Sequence, residues 1–273
     1  MMRIGIGCLL ASLLMTGCGA DLAYRQARHL EEKGDVPRAV EAYERLVRRH
    51  PGDPRIPEAC YRAGRLYAEA LGRCPEAVRL YERAARAGGP FAEPARLGLI
   101  TCPDYFPLRA GSKWTFVDTL SGGKNMRLEI EVTSSTGGVR GEIAGSYFAG
   151  KESFRPYRRG YAKEGWSVWQ SADGDKVPIL RYPFRAGRSW KIRREGRTIR
   201  YRVEADDLAV RTRGGRFSGC IKVRAHTAGY PSWVYEYYCP DIGLVKTTVG
   251  VPGAENPNTE LAAYSVPETA RVR

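Results

Sequence analysis

Two hydrophobic rhythms divide this chain. Between residues 20 and 100 apolar residues recur at the helical interval, first as Ala23, Ala27 and Leu30, then as Ala39, Val40, Tyr43, Leu46 and Val47, which gives each helix one apolar face. The set returns: Ala23-Tyr24, Ala27 and Leu30 recur 37 residues later as Cys60-Tyr61, Gly64 and Tyr67, and Ala39, Tyr43 and Leu46 recur 38 residues later as Ala77, Tyr81 and Ala84. Pro37, Pro57 and Pro75 mark first helical turns, with Asp35 and Cys74 just ahead, because proline there gives up only an amide that the helix leaves unpaired. Beyond residue 101 the interval falls to two, as in Leu128, Ile130 and Val132 or Ile199, Tyr201, Val203 and Ala205, and glycine-rich turns (SGGKN, STGGVR, ADGDK, RTRGGR) separate the runs. ADGDK holds the acidic pair Asp173 and Asp175, which reads as turn chemistry. The pattern predicts an α+β multidomain chain: helical hairpins over 18–100, an antiparallel sheet over 101–266 that is strongly curved or a half barrel, and a disordered tail at 267–273.

The sheet region contains a duplication. Phe106-Pro-Leu-Arg-Ala-Gly-Ser-Lys-Trp114-Thr-Phe116 and Tyr182-Pro-Phe-Arg-Ala-Gly-Arg-Ser-Trp190-Lys-Ile192 align without a gap at an offset of 76. The two halves are expected to fold alike, with Trp114, Trp190 and the branched aliphatics filling the concave face.

The helical region resembles the tetratricopeptide repeat, in which small residues sit where two helices cross and aromatics fill the gaps between pairs. Gly34 and Pro51 take the places of the turn glycine and closing proline, and the connector PGDPRIP stretches the period beyond the usual ~34 residues. The resemblance implies a concave surface for an envelope protein partner, or else a rigid spacer. Two repeats are few for a stable array, so Phe91 to Ile100, with Ala95, Leu97 and Leu99, is expected to form a capping helix.

At the amino terminus Arg3 precedes the apolar run Ile4 to Met15, which is too short to span a bilayer and reads as a cleaved signal peptide over residues 1–17. Leu14-Met15-Thr16-Gly17-Cys18 resembles the lipobox of bacterial lipoproteins, which implies a diacylglycerol and usually an amide-linked acyl chain, such as palmitate, on Cys18. Several acyl chains on one residue anchor stably where one would not. Gly19 stands where an aspartate would favour inner-membrane retention, so the expected location is the outer membrane of a Gram-negative cell envelope.

Net charge is +14, carried by 35 Arg and 9 Lys. Residues 21–100 hold 15 basic and 12 acidic residues, and residues 101–273 hold 28 and 18, so the excess belongs to the sheet region. Such a field favours anionic lipid or glycan. No zinc-finger, RNA-binding or helix-turn-helix spacing accompanies it, and a specific nucleic-acid partner is not expected.

In the sheet region, a two-residue Gly229-Tyr230 turn makes a tight hairpin in which opposed residues have numbers summing to 459. Cys220 and Cys239 are then opposed, and in an oxidising compartment a disulfide follows, with Cα atoms ~4.4 to 6.8 Å apart. The register stacks Lys222 on Tyr237, Arg224 on Tyr235 and His226 on Trp233. The face formed by Lys222, Arg224, Trp233, Tyr235 and Tyr237 is either a contact for an anionic or sugar ligand or a solvent-facing ladder. Among the other cysteines, Cys60 and Cys74 lie at opposite ends of a helix pair, which leaves Cys74 with Cys102 as the second bridge and Cys60 as a buried small residue. Cys8 leaves with the signal peptide.

The sheet region as a whole resembles secreted bacterial β domains with an FPL-x-x-G-x-x-W opening, a second G-x-x-W copy, then G-x-F-x-x-C (Gly215, Phe217, Cys220) and Y-x-P-x-[IV]-G-L-V-K (Tyr238 to Lys246), with Cys239 replacing a small residue. The resemblance implies the fold and an extracytoplasmic setting and brings no catalytic residues. The three histidines, His29, His50 and His226, show no ligand spacing, and neither a nucleophile elbow nor a phosphate loop occurs. No enzyme activity, cofactor or metal is therefore expected. The chain reads as an adaptor lipoprotein that joins a tetratricopeptide-like scaffold to a β-rich binding or assembly module. The alternative is a carrier or sensor holding an apolar or anionic ligand in the curved sheet. A deep apolar cavity would favour the carrier, and a filled barrel the adaptor.

Overall fold

The computed structural model describes residues 15–172, 174–194 and 196–267. Residues 1–14 of the expected signal peptide, Asp173 of the acidic pair and residues 268–273 of the expected tail lie outside it. The chain divides into two compact units between Cys102 and Pro103.

The first unit is helical: α1 (Met15–Glu32), α2 (Val36–Arg49), α3 (Ile56–Arg65), prolonged by a π turn over Leu66–Ala70, α4 (Cys74–Ala87) and α5 (Ala92–Thr101). Asp35 caps α2 by accepting the Arg38 amide, and Pro37 follows in the first turn. Cys74, expected just ahead of its helix, is instead the first residue of α4, which Arg73 precedes. Gly34 takes a φ of +75° to end α1, letting the Asp35 amide reach the Leu30 carbonyl. The repeated small and aromatic positions form the core: Ala27, Ala39, Tyr43, Cys60, Ala63, Ala77, Tyr81 and Ala84 are buried. The Tyr43 hydroxyl donates to Glu31 at 2.6 Å, and Glu31 takes Arg65 of α3 at 2.6 Å, tying the two repeats together through one carboxylate.

Helix α5 packs as the expected cap but with a different face. Ala92, Ala95, Leu99 and Ile100 are buried and Leu97 is only half-buried, because alternate residues cannot share one side of a 3.6-residue helix. The Cys74–Cys102 disulfide, Cα atoms 5.2 Å apart, ties the residue after α5 to the start of α4. Cys60 is free and buried.

The second unit is one antiparallel sheet of twelve strands: β1 (Lys113–Asp118), β2 (Arg127–Thr136), β3 (Arg140–Ala149), β4 (Glu152–Glu164), β5 (Ser167–Ala172), β6 (Asp175–Arg181), β7 (Ser189–Arg194), β8 (Arg197–Thr212), β9 (Gly215–Thr227), β10 (Trp233–Cys239), β11 (Gly243–Val251) and β12 (Ala254–Ser265). The order is β6-β5-β4-β3-β2-β1-β12-β11-β10-β9-β8-β7, two six-strand meanders joined through β1 and β12. The curl goes further than a half barrel. β6 and β7 meet where the Trp190 indole donates to the Pro178 carbonyl at 3.0 Å and Arg194 approaches Asp175 at 3.8 Å, so the sheet nearly closes.

The duplication is visible atom by atom. In the first copy the Gly111 amide donates to Val132, the Ser112 amide to Arg109 and the Val132 amide to Ser112, at 3.0, 3.1 and 2.9 Å. In the second, Gly187 donates to Val203, Arg188 to Arg185 and Val203 to Arg188, at 2.9, 3.1 and 2.9 Å. Gly111 and Gly187 have φ of +80° and +89°, a turn that a side chain would strain.

Candidate functional site

Alternation places one side of each strand inside the nearly closed sheet. Trp114 and Phe116 on β1, Leu128 and Ile130 on β2, and Ile143 and Tyr147 on β3 turn inward, and they leave a cavity of about 530 Å³ within the β unit. The concave face is thus not filled as expected. Trp114 does line it, its indole donating to the Ile242 carbonyl at 2.8 Å. Trp190 turns to the same inner side as expected, lying flat on its cross-strand partner Tyr201, which lines the cavity, with centroids 5.2 Å apart, and it packs at the β6–β7 seam.

One end is plugged by the segment before β1. Lys163, fully buried on β4, holds Asp104 at 2.7 Å, and Asp104 also accepts the Phe106 amide at 3.0 Å. The Tyr105 hydroxyl reaches the Gly219 carbonyl at 2.8 Å, and the Phe106 ring packs on Tyr161 at 4.7 Å. The Asp241 amide donates to the Asp104 carbonyl at 2.7 Å, and burial, reinforced by the charge of Asp104, raises the Asp241 pKa.

Polar groups gather on β10 and, far from it in the strand order, on β4 and β5, all lining the cavity. Glu236 on β10 accepts the Tyr238 hydroxyl at 3.0 Å. The Tyr157 and Tyr161 hydroxyls of β4 lie 2.6 Å apart, and Gln170 of β5 donates to Tyr161 at 3.0 Å. Desolvation raises the Glu236 carboxyl above the usual range, and the Tyr238 hydrogen bond only partly offsets it. Burial likewise raises Tyr157, Tyr161 and Tyr238, with the Glu236 charge adding to Tyr238. These tyrosines are neutral hydrogen-bonding groups at any physiological pH. The arrangement suits an apolar body with a small hydrogen-bonding head. Among the described residues no set of His, Cys, Asp and Glu side chains converges as a metal would need.

The predicted hairpin register is present, with Val234 opposite Ala225, Tyr235 opposite Arg224, Tyr237 opposite Lys222 and Tyr238 opposite Ile221. Cys220 and Cys239 are bonded with Cα atoms 4.1 Å apart, closer than the expected range and near the narrow spacing of a non-hydrogen-bonded pair. The face formed by Lys222, Arg224, Trp233, Tyr235 and Tyr237 does assemble, but on the opposite side of β9 and β10 from Glu236 and Tyr238, outside the cavity. Its cations also sit diagonally: Lys222 lies 3.9 Å from the Tyr235 ring against 5.3 Å from Tyr237, and Arg224 lies over Trp233 at 5.7 Å. Strand twist brings diagonal neighbours together. His226 and Trp233 pair edge to face at 6.0 Å as the register requires.

Both cations are already paired, Lys222 with Glu255 at 2.5 Å and Arg224 with Glu204 at 2.9 Å. Although burial opposes it, hydrogen bonds from Lys222, Thr248 and Tyr237 bring Glu255 down to about 2. The outer face is therefore a neutralised ladder that stabilises the hairpin.

Sequence reasoning missed Glu236, Tyr238, Tyr157, Tyr161 and the Lys163–Asp104 pair. The signal for Glu236 lay in the register itself, which sets that carboxylate opposite Val223 on the apolar side.

The tetratricopeptide repeat family profile matches residues 24–93. No curated protein matches the chain. Among solved structures, a candidate exported protein with a YmcC-like fold from Bacteroides fragilis NCTC 9343 is 15% identical with a TM-score of 0.43, over 60% of this chain and 100% of that one. A candidate lipoprotein from Parabacteroides distasonis ATCC 8503 is 13% identical with a TM-score of 0.40, over 59% of this chain and 98% of that one. LprF from Mycobacterium bovis is 13% identical with a TM-score of 0.19, over 64% of this chain and 95% of that one.

Proposed function

We propose that this is a non-enzymatic, lipid-anchored protein of the cell envelope whose β unit carries or senses a largely apolar ligand and whose tetratricopeptide unit engages a protein partner. The cavity of about 530 Å³ is the observation that carries the reading, since a ligand site is concave, mostly apolar and furnished with few polar groups. The lipobox ending in Cys18 and the following Gly19 support anchorage, at the outer membrane. The reading assigns no catalytic residue: the polar groups of the lining are tyrosine and threonine hydroxyls, the Gln170 and Asn258 amides, the Arg194 guanidinium and the Glu236 carboxylate, a set that binds and orients. No helix among the described residues is long and apolar enough to cross a membrane; the reading assigns the anchor to acyl chains on Cys18.

The test is native mass spectrometry of the full chain released from its own membranes in mild detergent, beside titration with N-phenylnaphthylamine. A bound small molecule and saturable dye binding are expected, both lost in Ile143→Trp, which fills the cavity from β3. Dye binding unchanged in that variant would overturn the cavity reading. The tetratricopeptide match over residues 24–93 favours a second reading, an adaptor alone, in which Ile143→Trp would leave every function of the protein intact.

A further inference from the structure

The cavity has one plugged end. At the other, among the described residues, only hairpin turns occur, because successive antiparallel strands put the β1–β2, β3–β4, β5–β6, β7–β8, β9–β10 and β11–β12 turns on the same side. We propose that this rim is a docking surface for an anionic lipid bilayer, with Leu120 and Phe154 entering the interface and the cavity mouth turned toward the lipid.

Three observations carry this. Leu120 is 84% exposed and Phe154 57% exposed, each at the tip of a hairpin. Neither turn is loose: the Asp118 carboxylate accepts the Ser121 amide at 2.7 Å and the Met126 amide at 3.1 Å, and Arg127 donates to the Gly150 carbonyl at 3.2 Å, joining the two tips. A rigid turn that presents a large apolar side chain to water carries a standing hydration cost, which insertion into a bilayer interface removes.

The second observation is charge. Residues 149–159 hold Lys151, Arg155, Arg158 and Arg159 against Glu152. Arg158 is paired with Glu142 at 3.5 Å, whereas exposed Lys124, Lys151 and Arg155 have no carboxylate partner among the described residues. Basic side chains beside apolar tips match the headgroup layer of an anionic leaflet and its acyl boundary in turn.

The third is continuity with the interior. Phe154 is the extra residue of a β-bulge, since Tyr147 pairs with Arg155 and Phe148 with Ser153. The bulge brings the Phe154 ring 6.1 Å from that of Tyr147, which lines the cavity and lies 6.4 Å from Tyr157. An aromatic path thus runs from the exposed rim to the polar groups of β4, a route along which an apolar molecule passes from bilayer to cavity without crossing water.

The proposal stands on the rim and needs no particular cavity occupant. Its test uses the mature span, residues 18–273, carrying Cys18→Ser so that no acyl chain contributes, with phosphatidylcholine vesicles with and without phosphatidylglycerol. Binding to the anionic vesicles is expected and to the neutral ones is not, with partitioning falling as salt is raised. Leu120→Ser with Phe154→Ser, folded by circular dichroism, is expected to lose about tenfold in partitioning at fixed salt. Phe154→Trp is expected to shift its emission to the blue and to be quenched by brominated acyl chains. Unchanged partitioning in the serine variant would mean adsorption by net charge, and an unquenched tryptophan would mean that the tip stays in water; either overturns the proposal, whatever the dye titration of the cavity gives.

Discussion

The ring of Tyr81 lies between Gly64 of α3 and Gly98 of α5, so close that a Cβ added at either would sit 2.9 or 2.5 Å from it. One tyrosine thereby joins the second repeat to its capping helix. Gly98→Ala forces the ring or the helix to move and is expected to cost the helical unit about 1–3 kcal/mol. Thermal unfolding followed by helical circular dichroism checks it, and an unchanged midpoint would place the contact elsewhere.

Glu236 carries the pH dependence of the cavity. Its pKa is raised in the fold, so the folded state holds its proton more tightly than the unfolded state does. Stability from this group is greatest below the ordinary carboxylate range and declines as pH rises from there through the folded pKa. Glu236→Gln keeps an acceptor for the Tyr238 hydroxyl and removes the ionisation. The melting temperature at pH ~7 is expected to rise, by about 2–4 °C for each kcal/mol relieved, with no gain well below pH ~4. A fall at neutral pH would mean that the charged form is stabilised within the site.

Glu255 on the outer ladder has the opposite sign. Its pKa of about 2 adds stability that is present above the unfolded carboxylate value and is lost as pH falls toward the folded one. Glu255→Gln is expected to flatten acid unfolding between pH ~4.5 and ~2, measured by fluorescence of the hairpin tryptophan Trp233.

Removing Lys163 should open the plug. With Lys163→Met the Asp104 carboxylate loses its buried partner at 2.7 Å, and leaving one buried charge unpaired costs about 3–5 kcal/mol. Lys163→Met with Asp104→Asn is expected to recover most of that loss. Denaturant unfolding of the three chains decides, and no recovery would mean that Lys163 acts by packing alone.

Cys18→Ser tests the anchor. Metabolic labelling with an alkynyl fatty acid is expected to mark the parent chain and not the variant, and equal labelling of both would remove the lipoprotein assignment.

The helical repeats and the β9–β10 register were legible in sequence because local rules determine them: a 3.6-residue apolar interval, prolines in first turns, and a two-residue turn that fixes every opposed pair. Which face of β10 points inward was not legible in that strand by itself, where Tyr235 and Tyr237 alternate with Glu236 and Tyr238 and hydropathy is almost equal on the two sides; only the register with β9, which sets Val223 and Ile221 opposite Glu236 and Tyr238, selects between them. Lys163 was hidden for a related reason, since its partner Asp104 lies 59 residues away in the segment before β1. Nor does local pattern encode the cavity: its volume depends on how far twelve strands curl before the two ends of the sheet meet.

That meeting has a consequence for solubility. An open twelve-stranded sheet would present two unpaired edges, each a row of free amides and carbonyls on which another chain could add a strand. Here β6 and β7 shield one another: Pro178 has no amide to offer, its carbonyl takes the Trp190 indole, and Arg194 faces Asp175 across the gap. The duplicated halves thereby cover each other's sticky borders, and a protein built so largely of strands is protected from templating its own aggregation.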